Sequence, residues 1–136
     1  MSLLLLFTLT LYSQQQAGTL SIRAGHFMSD SGKAVVHLFR ESDDIPKKPF
    51  KVGTGLIMNG TSAILFENIP YGEYAAILFH DENANGELDH KFFFPAEPMG
   101  FSNGWELTLF SGMPDFKELR FEFSETKEEY EIFIRQ

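Results

Sequence analysis

Gly72-Glu73-Tyr74-Ala75-Ala76-Ile77-Leu78-Phe79-His80-Asp81-Glu82-Asn83-Ala84-Asn85-Gly86-Glu87-Leu88-Asp89 admits two readings, and the choice between them decides the fold. Asp81, Asn83 and Asn85 precede Gly86 at alternate positions, and Asp89 stands three residues on. That is the order in which a calcium loop presents side-chain oxygens at positions 1, 3 and 5, a glycine at 6, a carbonyl at 7 and a further acid at 9. A helix–loop–helix calcium site requires a helix over Glu73–Phe79. The stretch between Gly72 and Asp81 is short for a stable helix but normal for a strand. We therefore read strand, loop, and an all-β chain around them.

The flanking sequence agrees. Leu20, Ile22 and Ala24 alternate with Ser21 and Arg23, as in a half-buried strand. After the turn cluster Ser29-Asp30-Ser31-Gly32 comes Ala34–Phe39, with Val35, His37 and Phe39 on one face and Val36 and Leu38 on the other. Arg40–Lys51, holding Pro46 and Pro49, reads as a crossover loop. Gly55–Met58 and Thr61–Phe66 flank Asn59-Gly60, whose residues both tolerate positive φ, so a hairpin is expected. Pro70-Tyr71-Gly72 forms a second turn. Glu97–Gly104 reads as a loop, and Trp105–Phe110 as a strand or a covering segment. Phe116–Leu119 fits one helical turn capped by Asp115. Leu119–Phe123 and Tyr130–Arg135 are closing strands around a charged turn. Seven or eight short strands without a long helix predict a single antiparallel β-sandwich domain over residues 14–136.

Met1–Ser13 is apolar, carries no charged side chain, and is followed by Gln14-Gln15-Gln16. It is too short to span a bilayer and has the length of a signal-peptide core, so we expect residues 1–13 to be a signal peptide and the protein to be exported, to the periplasm or beyond the cell. No lysine or arginine precedes the apolar run: either the α-amino group serves instead, or the true start lies upstream. The alternative is a buried first strand. There is no cysteine, which excludes a disulfide framework and a cysteine-linked lipid anchor. Composition suits a chain with a substantial core: 136 residues, 43% hydrophobic, with fifteen phenylalanines. A net charge of −8 argues against nucleic acid as a partner, because phosphate backbones repel an acidic surface. No transmembrane segment is expected in the mature chain.

Ile69–Asp89, Pro95–Asn103 and Met113–Phe116 together resemble a family of small exported bacterial proteins known as domain of unknown function 2141. A Pro-x-Gly-x-Tyr turn, the His-Asp-x-Asn-x-Asn-Gly-x-x-Asp loop, a Gly-Phe-Ser-Asn segment and a Pro-x-Phe segment recur there in this order. The resemblance implies an exported β-sandwich in the style of immunoglobulin-like and transthyretin-like modules. It implies no reaction.

On the loop template, a structural calcium ion would take side-chain oxygens from Asp81, Asn83 and Asn85, the Glu87 carbonyl, and Asp89 directly or through water. Position 12 is Phe92 rather than the bidentate glutamate, so closure falls to Glu97 first and Asp115 second. With neutral asparagines at positions 3 and 5, the expected affinity is about 10⁻⁴–10⁻³ M. The competing reading is a metal-free turn rich in Asp and Asn. His80 stands beside Asp81, but neighbours on a strand point to opposite faces, so a hydrogen-bonded histidine beneath the loop is expected over a catalytic one. Phe101 and Trp105, on the glycine-flanked segment Gly100–Trp105, either bind a ligand or cover one end of the core. The resulting expectation is a non-enzymatic binding or envelope-associated module with a protein or glycan partner. The alternatives are a small hydrolase using His80 with Asp81 or Glu97, and a carbohydrate-binding module using Trp105.

Overall fold

A computed structural model of the protein describes residues 15–84, 90–91, 94–95 and 97–135. The segment expected to be a signal peptide, and Asn85, Glu87, Asp89 and Phe92, lie outside them. Among the described residues the regular structure is nearly all β. One sheet has three strands in the order β10-β1-β4, formed by β1 (Ala17–Gly25), β4 (Ser62–Pro70) and β10 (Glu129–Phe133). The other runs β3-β2-β5-β8, with β2 (Lys33–Phe39), β3 (Lys51–Leu56), β5 (Gly72–Asp81) and β8 (Met99–Phe101); β9 (Phe121–Phe123) also pairs with β5. β6 (His90–Lys91) and β7 (Phe94–Pro95) pair with each other, and α1 (Phe116–Leu119) is a single turn.

Glu73–Phe79 is strand, as its length requires. β5 lies at the centre of its sheet and is apolar on both faces, since each face meets a separate core. Tyr74, Ala76 and Leu78 join Ala34, Val36 and Leu38 of β2 against Leu20, Ile22, Ile64 and Phe66 from the three-stranded sheet. Ala75, Ile77 and Phe79 point the other way, with Val35 and Phe39, into a second cluster with Met99, Phe101 and Leu119. The two-residue period of each strand sorts its side chains between these cores.

Three expectations need correction. Asn59 and Gly60 do take positive φ, 53° and 72°, and Met58 pairs with Thr61. The strands they join then part, β3 pairing with β2 and β4 with β1, so the turn links two sheets rather than closing a hairpin. Nor is the pairing antiparallel throughout: β10 runs parallel to β1, with Ile22 opposite Tyr130 and Ala24 opposite Ile132. β4 already occupies one edge of β1, and the turn after β9 brings the chain to the remaining edge in the same direction as β1. Finally, Met99–Phe101, read as loop, is strand β8, paired with Ile77–Phe79. Trp105–Leu107 is the covering segment of the two alternatives; Trp105 and Leu107 pack on the second cluster outside any strand.

Candidate functional site

The acidic loop leaves from the end of β5, and strand alternation sets what each of its first residues faces. His80 continues the face of Ala76 and Leu78, and Asp81 that of Ile77 and Phe79, so the two side chains diverge. His80 is 1% exposed. Its Nε2 lies 2.6 Å from the Ser31 carbonyl, which can only accept, so Nε2 carries the proton. Phe27 meets the ring edge-on at 5.2 Å, and Nδ1 is 3.7 Å from a Glu82 carboxylate oxygen. The histidine thus ties the Ser29–Gly32 turn to the base of the loop. Gly32 completes that junction. Its φ is +71°, and a β-carbon there would overlap the Asp81 carbonyl, so only glycine fits.

Asp81 is 1% exposed and Glu97 8%. Their approach follows from backbone pairing. The His80 amide donates to the Pro98 carbonyl at 3.0 Å, and β8 then zips along β5. This places Glu97 at the start of the loop, where its Oε1 accepts from the Glu82 amide at 3.2 Å. Asp81, Asn83 and Glu97 all have partners. Among the described residues no group of three or more His, Asp or Glu side chains is arranged to hold a metal. Asp115, the second closing candidate, is engaged elsewhere: its Oδ1 accepts from the Glu118 amide at 3.0 Å, and Glu118 Oε2 accepts from the Asp115 amide at 3.0 Å. That reciprocal pair is a capping box at the start of α1.

The Gly100–Trp105 segment is an internal joint. Phe101 is buried in the second core, and Trp105, half-buried, meets it edge-on with ring centres 4.8 Å apart. Ser102 is fully buried; its Oγ accepts from the Ala76 amide at 3.0 Å and donates to the Leu119 carbonyl at 2.5 Å. β8 covers β5 at Ile77–Phe79 and β9 covers it at Gly72–Tyr74, so Ala76 falls in the gap between them and Ser102 satisfies its amide. Asn103, at φ 57°, donates from its backbone to the Tyr130 hydroxyl at 3.0 Å and from Nδ2 to the Glu118 carbonyl at 3.1 Å. Sequence reasoning missed these roles. The one available signal was the small polar pair directly after a buried aromatic.

The chain is thus mostly β, with two sheets that share one core and with Glu97 bonded back to the amide of Glu82 at the end of β5. The chain belongs to the bacterial family described as "Uncharacterized protein conserved in bacteria (DUF2141)", whose family model matches residues 22–131. No curated protein and no solved structure matches it. Among the described residues no helix is long and apolar enough to cross a membrane.

Proposed function

We propose that the protein is an exported, non-enzymatic β-sandwich of the immunoglobulin-like or transthyretin-like kind, with a structural calcium ion in the 81–89 loop and a binding or envelope-associated role. The observation that carries this reading is the delivery of Glu97, through β5–β8 pairing, to the first amide of a loop that begins with buried Asp81. The Glu97 carboxylate, from a separate segment, is thereby bonded to the residue that follows Asp81, where the Asp-x-Asn-x-Asn-Gly sequence starts. The donor set of Asp81, Asn83, Asn85, the Glu87 carbonyl, Asp89 and Glu97 is oxygen only, which suits a hard cation of flexible coordination. Bound there, the ion would supply positive charge that holds the loop against the sheet, in a chain without disulfides. The divergence of His80 and Asp81 across β5 supports a structural rather than a hydrolytic use of the pair.

Thermal unfolding in EDTA, in millimolar calcium and in millimolar magnesium tests the reading. With a dissociation constant of about 10⁻⁴–10⁻³ M, about 1 mM of a ligand specific for the folded state contributes about 0.4–1.4 kcal/mol. Calcium is expected to raise the melting temperature selectively, and Asp81→Asn or Glu97→Gln to reduce the rise. Equal curves in EDTA and calcium would reduce the loop to a polar turn.

A further inference from the structure

The segment between Trp105 and α1 carries a projection that the core does not absorb. Its base is fixed at both ends, with Leu107 packed on the second cluster and Pro114 buried. Between them stand Thr108, Leu109, Phe110, Ser111, Gly112 and Met113, all exposed and none charged. Phe110 is 93% exposed, the most of any large apolar side chain among the described residues. Charge returns only at Glu106, paired with Arg135 at 3.3 Å, and at Asp115, the cap of α1.

The turn closes on itself. Ser111 Oγ accepts from the Thr108 amide at 3.0 Å, and its proton faces the Thr108 and Gly112 carbonyls at 3.1 and 3.0 Å. The Ser111 amide donates to the Thr108 carbonyl at 3.3 Å, and Gly112 takes φ 66°. These polar groups are met inside the turn, which lowers the cost of moving the tip out of water. The ring is also held outward before any partner arrives, so little conformational freedom is lost on burying it.

We infer that the 108–113 tip is a contact for a lipid bilayer surface, with Phe110 and Leu109 entering the acyl boundary beside zwitterionic head groups. Two observations favour lipid over a protein partner. Leu109, Phe110 and Met113 alone fall well short of the roughly 800 Å² per partner that a stable protein interface buries, whereas a bilayer closes around a projection of any size. The tip also enters without taking an ion out of water, because Glu106 and Asp115 stay outside the uncharged stretch, at the depth of the head groups. With −8 on the chain, anionic head groups repel it, so the favoured surface is zwitterionic, the reverse of a polybasic lipid contact. A contact of this size is reversible and no tighter than a single acyl chain, about 10⁴ M⁻¹. The inference deepens the envelope-associated role proposed above and rests on it, and it makes no use of the calcium site.

The test is flotation of the purified protein, as its cells process it, with phosphatidylcholine vesicles at about 1 mM lipid in EDTA, well above the reciprocal of that constant. The wild type is expected to float with the vesicles. Phe110→Asp should weaken binding at least about tenfold, through lost apolar burial and a charge brought to the acyl boundary. Phe110→Leu should restore most of it. Leu65→Asp, at an exposed apolar position on β4, should bind as the wild type does. The Phe110 side chain is exposed, so circular dichroism should be unchanged; Leu109→Asp serves if Phe110→Asp misfolds. Phosphatidylglycerol vesicles should bind less at low salt, and added salt should narrow the difference. A wild type that leaves phosphatidylcholine vesicles unbound overturns the inference, as does a Phe110→Asp variant that binds normally. Self-association without lipid that is lost in Phe110→Asp, read by analytical ultracentrifugation, would overturn it in favour of a second copy. Vesicle binding is read on purified protein, so its failure is separate from failure of the exported role, which cell fractionation reads.

Discussion

Gly100 on β8 stands directly against the carbonyl oxygen of Phe133 on β10, and a β-carbon at position 100 would overlap that oxygen. Here the two sheets meet: the Arg135 amide donates to the Met99 carbonyl at 2.8 Å, one residue from the contact. At the opposite margin Gly53 and Gly55 allow β3 to lie on Ile64, Phe66 and Ser62 of β4. Glycine at both margins brings the sheets within reach of each other.

Gly100→Ala should therefore destabilise the fold by about 1–3 kcal/mol, the usual cost of forcing an added carbon into a packed site. Gly72→Ala is the control, since nothing lies within 4 Å of its added carbon. Urea unfolding midpoints compare them, and equal midpoints would show that the margin yields.

Ser102 and Ser62 make a second pair. Ser102→Ala strands the Ala76 amide and the Leu119 carbonyl in the interior, for an expected loss of about 1–3 kcal/mol. The Ser62 hydroxyl is buried without a hydrogen-bond partner, so Ser62→Ala should be neutral or stabilising. Chemical denaturation of both variants reads the difference, and the reverse ranking would contradict the assigned bonding.

His37 predicts a pH dependence. Burial between Phe39 and Phe79 lowers its pKa from the ordinary 6.5, so the unfolded chain takes up this proton first as pH falls. The unfolded state then binds more protons than the native state, and stability drops with falling pH from about 6.5 down to the folded value. Melting temperature should decline across that window, and less so in His37→Phe. Parallel profiles would assign the decline to other groups. Asp43 acts lower, because hydrogen bonding to Arg40 holds its carboxyl below 3.8.

Asp115→Ala removes the cap of α1 and should cost about 0.5–2 kcal/mol. If the calcium reading holds with Glu97 as the closing ligand, this variant keeps its full calcium-dependent rise in melting temperature. Loss of that rise would return Asp115 to the site.

What the sequence by itself determined is what depends on near neighbours. Alternation along Leu20–Ala24 and Ala34–Phe39 assigned strand and face, because side chains two apart share a side. Asn59-Gly60 specified its own turn and Asp115 its own cap, both written within four residues. The length before Asp81 decided strand over helix. Only the tertiary structure decided which strands pair. A hairpin turn and a link between sheets use the same two positive φ angles, and the free edge of β1 accepts a parallel or an antiparallel neighbour with equal hydrogen-bonding capacity. The placement of Glu97 beside the Glu82 amide, and of Ser102 in the gap on β5, follows from that long-range pairing. No local pattern encodes it, because the groups that meet are separated by 15 residues in one case and 26 in the other.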